Sequence, residues 1–441
     1  MRTATRKISI ALILVLMAPM LIACGEDAAT QSSTPELVAT PPATAIATSQ
    51  VTPPSESTPL PVVSPEASTA TPASEGFQPQ VLTSDGLLEY QPNELGGIPI
   101  FMYHNIVTDP TLEGHLYRTV DEFYADLQWL YDNDFYLVGM NSVVRGQFNV
   151  PAGKHPVVLT FDDSSSMHFS FEMDESGQPI IDENGEYVIT PNSAVGIIER
   201  FAAEHPDFGR TAHFSTIPVF KFSWPEYEQD EWYETKVQWL LENNYEIGNH
   251  TSDHVDLTLT DSETFARNIA EPYIWISDMV DKNDPNFAMS VITLPYGAYE
   301  EGGWTGDKYE YLANGFVWEG REIPVEGALL VCCGANQSPF HDDYRRLWIA
   351  RIRGDDADYE RLKEEIVNGW VILYTSDGNP DTVTVPWPLP ESQWGKLNED
   401  AITSRGLTLV KYHPKTGRIY TAIGPRDHQA YNCVERARVS A

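Results

Sequence analysis

Basic residues are scarce in this chain. Its 441 residues include 28 Lys and Arg against 64 Asp and Glu, a formal net charge of -36. A body this acidic repels phosphate backbones and anionic headgroups, so nucleic acid is excluded as a partner, and so is electrostatic adhesion to a lipid surface. Aromatic residues are missing between Gly25 and Glu75, where Ser, Thr, Pro and Ala dominate. Such a stretch cannot bury enough apolar surface to fold and reads as a linker. As a flexible coil of ~50 residues it spans roughly 40 Å. There are only four cysteines, Cys24, Cys332, Cys333 and Cys433. No internal repeat is present. What the chain does have is length and an apolar fraction of 42%, which fit one large α/β domain with appendages.

The N-terminus is basic ("MRTATRK") and then apolar ("ISIALILVLMAPMLIA"), a run of signal-peptide length and short for a membrane-spanning helix. It ends in "LIAC". This arrangement resembles a bacterial lipoprotein precursor, and Cys24 matches the lipidated cysteine of that pattern. The resemblance implies a signal peptide over 1–23, a membrane anchor through lipid on Cys24 and an extracytoplasmic location. Two acyl chains on one cysteine suffice for stable anchoring. Export also permits a disulfide. A bridge from Cys433 to Cys332 or Cys333 would tie the C-terminal tail to the domain, and the sequence does not choose between them.

From Gly76 onwards strands and helices alternate. "IPIFMYHNI", "FYLVGM", "HPVVLTFDD", "RTAHFSTI", "YEIGNH" and "SVITLPYG" read as strands. Helical spacing lies between them, and Thr119 with Glu122, and Thr260 with Glu263, have the capping-box pattern. Alternation of this kind predicts a parallel sheet, open or closed into a barrel. One segment, Met167 to Pro191, interrupts it with strand-like runs around an Asn-Gly turn. That hairpin is either a lid over a site or a decoration.

Three motifs carry chemistry. "TFDD" puts Asp162 and Asp163 at the end of a buried strand, where α/β folds place their sites. Adjacent carboxylates repel unless a cation or proton is shared, although Asp-Asp before Ser164 could equally cap a turn. "HTSDH" spaces His250 and His254 four apart, and a helical turn would set both on one face for a metal. Two imidazoles and one carboxylate leave a coordination position open, as catalytic sites do, while a plain hydrogen-bonded histidine pair fits the spacing too. "LPYGAY" is a tight loop whose backbone amides can face an oxyanion.

In this order, with "MYHNI" and "WIARI", the motifs resemble the polysaccharide deacetylases, NodB-like carbohydrate esterases, from about Ile98 to Ile352. The resemblance implies a distorted (β/α)7 barrel, here over 81–378, with the hairpin insertion at 167–191 and a C-terminal extension over 379–441. It implies Asp162 as general base and Asp163, His250 and His254 as ligands of one divalent ion, usually zinc. The backbone N–H of Tyr296 would stabilise the oxyanion, and Thr251 and Ser252 would shape the loop. The implied activity is hydrolysis of N-acetyl groups on an envelope or extracellular polysaccharide containing N-acetylglucosamine, releasing acetate. An O-acetyl esterase, or a catalytically impaired metal- and glycan-binding lipoprotein, is the alternative. Two departures feed that alternative. Thr293 stands where many members have an Arg that holds the base, and "WVILYTSDG" offers Thr375 where many have a general-acid histidine. Arg351 could replace the first, and His104, His341 or Asp162 itself the second.

Overall fold

The computed structural model describes residues 82–420, apart from 113, 226–227 and 301–302. The expected signal peptide, Cys24, the linker and Cys433 lie outside the described residues. Seven parallel strands close into a barrel: β1 (Ile100–Tyr103), β2 (His155–Asp162), β3 (His213–Thr216), β4 (Glu246–Asn249), β5 (Phe287–Thr293), β6 (Gly327–Val331) and β7 (Ile349–Arg353). Each pairs with its successor, and β7 pairs back onto β1 with Phe101 opposite Ile352. The expected (β/α)7 barrel is therefore the fold. A short extra strand, Phe135–Leu137, pairs with the first three residues of β2, and β1 takes over that edge from Val158.

Continuous apolar runs make these strands because both faces are covered. In β2 every residue after His155 is buried. The layer between strands and helices combines Phe101, Leu159, Phe161, Phe214, Ile247, Met289, Leu330 and Ile352, with Phe101 stacked on Tyr359 and Phe161 packed on Phe123. Each such side chain contributes about 1.5–3 kcal/mol when fully buried. Helices α2 (Val120–Asp132), α3 (Met140–Arg145), α4 (Ala194–Glu204), α5 (Tyr233–Glu242), α6 (Ser262–Met279) and α7 (Gly306–Asn314) fill connections between strands, while α1 (Ser84–Tyr90) precedes β1 and α8 (Asp356–Val367) follows β7. The link from β6 to β7 has no helix among the described residues. A second apolar cluster sits at the N-terminal ends of the strands. There Ile98, Ile100, Val158, Val291 and Leu329 meet Val383, Val385, Leu389 and Ile402, which come from beyond Asn379.

The Thr119–Glu122 capping box forms as expected, with both reciprocal bonds. The second one does not. Helix α6 is capped by Asp261, whose carboxylate accepts from the Thr264 N–H at 2.8 Å, while the Thr260 hydroxyl donates to Leu257 O. Asp261 stands one residue nearer the helix and cannot be outcompeted by a hydroxyl already engaged in the preceding turn. The 167–191 insertion makes two tight reversals where one was expected. Asp174 and Asp182 each accept, on Oδ1, the backbone N–H groups two and four residues on. Cys332 and Cys333, either of which the sequence left open as a partner for Cys433, are bonded to each other.

Candidate active site

The C-terminal ends of β1, β2, β4 and β5 bring the chemical groups together. Asp162 is the last residue of β2 and is almost fully buried. Asp163 follows with φ 80, a left-handed turn that swings its side chain away from its neighbour's. His250 follows β4, and its Nε2 lies 3.3 Å from Asp163 Oδ1 and 4.0 Å from Asp162 Oδ2. His254 Nε2 is 3.5 Å from the same Asp163 oxygen. The sequence reading put the two histidines on a helical turn. They lie instead on an irregular loop in which Thr251 (φ 70) and His254 (φ 49) are left-handed. Non-glycine residues held there cost about 1–3 kcal/mol each and cluster at functional sites.

One ligand atom each from Asp163, His250 and His254 lies within 4.8 Å of the other two. The residues fit a divalent cation on two grounds. Asp163 Oδ1 is buried with no hydrogen-bond donor although two imidazole nitrogens converge on it. In addition, His250 Nδ1 is 2.9 Å from Thr293 O, and donating to that carbonyl leaves the Nε2 lone pair facing the site. Thr293, the position without the expected arginine, thus orients a ligand through its carbonyl.

The arginine arrives from β7. Arg351, fully buried, donates through Nη1 to Asp162 Oδ1 at 2.7 Å and through Nη2 to Oδ2 at 2.9 Å. Burial pushes the Asp162 carboxyl up, but Arg351 and then His250 outweigh it and hold it well below the usual carboxylate range. Burial also pushes Asp163 up, and the contact with His250 brings it below its ordinary value. His250 moves the other way. Burial lowers it, yet the two carboxylates leave it raised.

His104 ends the β1 run, one residue past the Tyr103–Phe161 pair, and so neighbours Asp162 across the sheet. Burial lowers its pKa against the pull of Asp162 and Asp163, so the imidazole is neutral at pH 7, and its Nδ1 is buried without a partner. Its carbonyl accepts from His168 Nε2. Tyr296 occupies a one-turn 3-10 segment after β5 with φ 60; the residue is 72% exposed and its ring lies 4.9 Å from that of His254.

Two sequence candidates are not here. His341 lies against the C-terminal extension, bridged to Leu397. Thr375 pairs with Asn93 and touches His155 at the start of β2, the opposite end of the strand from Asp162. At about 3.3 Å per residue those ends are ~23 Å apart. The segment matched to the family's late histidine motif therefore does not reach the site. Missed from sequence was His168, which holds the His104 backbone. A lone histidine at the start of an insertion gave no signal.

No protein-family model matches the chain, and no curated protein matches it. The solved structures it resembles include polysaccharide deacetylases. A Streptococcus pyogenes deacetylase, PplD, in complex with acetate is 19% identical over 60% of this chain and 97% of that one, with a TM-score of 0.42. IcaB from Ammonifex degensii is 15% identical over 61% and 96%, with a TM-score of 0.40. A putative polysaccharide deacetylase, BA0330, from Bacillus anthracis is 15% identical over 58% and 64%, with a TM-score of 0.39.

Proposed function

We propose that this chain is a metal-dependent deacetylase that removes N-acetyl groups from an N-acetylglucosamine-containing polysaccharide, releasing acetate. The observation that carries the reading is the pairing of roles at one barrel end. A carboxylate fixed by an arginine fork stands 4.0 Å from the imidazole of a three-residue ligand set. A scaffold that only held metal would have no need of Asp162 or its arginine.

When bound by Asp163, His250 and His254, the divalent ion supplies Lewis acidity, which lowers the pKa of water and draws charge from the acyl oxygen. Asp162 accepts the proton of the attacking water. Arg351 keeps the carboxylate plane fixed, so the proton is taken along one direction. The Tyr296 peptide N–H donates to the developing oxyanion. Asp162, held strongly acidic, then gives its proton up readily towards the leaving nitrogen. His104, which neighbours Asp162 across the sheet and has its Nδ1 buried without a partner, relays that proton by taking it on one ring nitrogen and passing one on to the leaving nitrogen.

The location belongs to the same proposal. A signal peptide over 1–23 and lipid on Cys24 would hold the barrel at the envelope through the Pro-rich linker, and Cys24→Ala should move the protein to the soluble fraction.

The test is acetate release from N-acetylglucosamine oligomers and from peptidoglycan by the full chain with zinc, beside Asp162→Asn. Release that a chelator and the substitution both abolish supports the reading. Failure on every N-acetylated glycan with metal bound would leave the impaired binding lipoprotein, and release from O-acetylated glycans alone would leave the esterase.

A further inference from the structure

Helix α6 contains a proline, Pro272, at its eleventh position. In an α-helix the N–H of residue 272 would bond to the carbonyl of residue 268. Proline has no N–H, and its ring crowds that carbonyl outward. Here the freed carbonyl of Asn268 accepts from the Ser252 N–H at 3.0 Å, in the middle of the turn that separates His250 from His254. The Asn268 side chain grips the same turn. Its Oδ1 accepts from the Asp253 N–H at 3.0 Å, and its Nδ2 donates to Asp253 Oδ2 at 3.3 Å and to Thr264 O at 3.0 Å. Asn268 is fully buried, so water does not compete for its amide. The next carbonyl of the helix, that of Ile269, accepts from Asn249 Nδ2 at 2.8 Å, and Asn249 Oδ1 in turn accepts from the Thr251 N–H at 2.9 Å.

From this arrangement we infer that Asn268, with its carbonyl released by Pro272, is the positioning residue that sets the affinity of the His250–His254 pair for a divalent cation. The inference rests on the metal reading of the site. Two residues in the ligand loop, Thr251 and His254, hold left-handed conformations that an unsupported loop would leave. Bonds from α6 are what over-determine them. A proline inside a long helix is unfavourable for the helix alone. Its placement four residues after the carbonyl that accepts the Ser252 N–H gives it a reason to be there.

The two substitutions separate this role from plain stability. Asn268→Ala removes the side-chain grip and should weaken Zn²⁺ binding by the ~10–100-fold typical of outer-shell partners. Pro272→Ala restores the helix bond, so it should raise Tm in the metal-free chain while weakening Zn²⁺ binding. A merely structural residue cannot move those two readouts in opposite directions. The experiment is chelator competition for Zn²⁺ on the full chain, with the visible spectrum of the Co²⁺ form reporting ligand geometry and amide exchange reporting Ser252 and Asp253. Weaker binding in both variants, an altered Co²⁺ spectrum and faster exchange at Ser252 are expected. If His250→Ala abolishes binding but both variants bind as tightly as the parent with unchanged exchange, the positioning role is wrong and the metal reading stands. If the parent chain itself binds neither ion, the metal reading falls and this inference falls with it.

Discussion

The two ends of the barrel are built from the same strands and treat charge in opposite ways. At the N-terminal end, buried acids are enclosed by donors from the chain itself. Glu94 accepts from the Tyr374 hydroxyl, the Asp377 N–H and the Thr384 N–H, and Glu246 accepts from the N–H groups of Met140 and Asn141 and contacts His213. At the C-terminal end, Asp163 Oδ1 and His104 Nδ1 are buried without partners. Backbone conformation divides the same way. Of the twelve left-handed non-glycine residues among those described, eight (Asp163, Ser164, Lys221, Phe222, Thr251, His254, Tyr296 and Cys333) follow C-terminal strand ends, while Asp134 and Asn244 stand just before strands and Gln91 and Glu319 lie elsewhere. The buried carboxylates of one end are completed by the chain's own donors, even though Asn141 Oδ1 and His213 Nε2 beside Glu246 lack partners, whereas at the other end a carboxylate oxygen itself, Asp163 Oδ1, is left open between two imidazoles. A buried polar cluster alone therefore does not mark a site. Incompleteness together with strain does.

The sharpest way to break that contrast is at Asp162. Asp162→Asn should keep the fold and lower kcat by ~10²–10⁴-fold, measured as acetate release. His104→Ala should cost about 10²-fold if the proton relay runs through it, and an unchanged rate would leave Asp162 as the sole carrier. Arg351→Met tests both properties at once. It strands a buried carboxylate, so unfolding by urea should show a loss of ~3–5 kcal/mol along with the activity. A variant that kept full activity would mean the arginine fork has no part in catalysis.

The N-terminal end should respond with stability alone. Glu94→Ala leaves the Thr384 N–H and the Tyr374 hydroxyl without an acceptor, at about 1–3 kcal/mol for each buried group. The midpoint in urea should fall while kcat of the remaining folded protein stays at the parent value. A fall in kcat at constant stability would show that the two ends communicate.

Much of this division was legible in the sequence. The continuous apolar runs of β2 and β5 gave the parallel strands, and "TFDD" with "HTSDH" gave the ligand set, because strand ends and residue type are local properties. The loop carrying His254 was misread as helical, since the bonds that bend it come from Asn268, fourteen residues further on. Arg351 was one option among several, because which strand lies within reach of Asp162 depends on barrel closure. Thr375 matches the motif by its neighbours in sequence, and the long-range pairings of Asn93 with Thr375 and Gly97 with Leu373 put that segment at the other end. The Cys332–Cys333 bond could not be chosen from spacing, which does not say where Cys433 lies.

Charge buried near the chemical end can also be read by pH. Lys236 of α5 is fully buried, donates to Phe222 O at 2.6 Å, and is lowered by burial to about 7, against a smaller upward pull from Asp230. Between pH 7 and the unfolded value near 10.4 the unfolded chain keeps the proton and the folded chain has released it. Unfolding then takes up a proton, so stability rises with pH across that window and is lost as pH falls towards 7. Relative to Lys236→Met, the parent should gain a few kcal/mol between pH 7 and pH 10, read as the difference in unfolding free energy. A flat difference would mean that Lys236 stays charged in the fold.

The smallest expected effect is at His341, which the sequence offered as a general acid. Its backbone N–H bonds to Ser338 O, its Nδ1 accepts from the Asp343 N–H at 3.1 Å, and the charges that act on it are those of Asp343, Lys396 and Asp342. None of the groups around Asp162 is among them. His341→Ala removes one acceptor from a loop that the bridge to Leu397 also holds, a loss of about 1 kcal/mol. Acetate release should be unchanged. A hundredfold drop in kcat at unchanged stability would require the 338–345 loop to reach the C-terminal end during turnover, and the contrast between the two ends would then be a property of the resting chain alone.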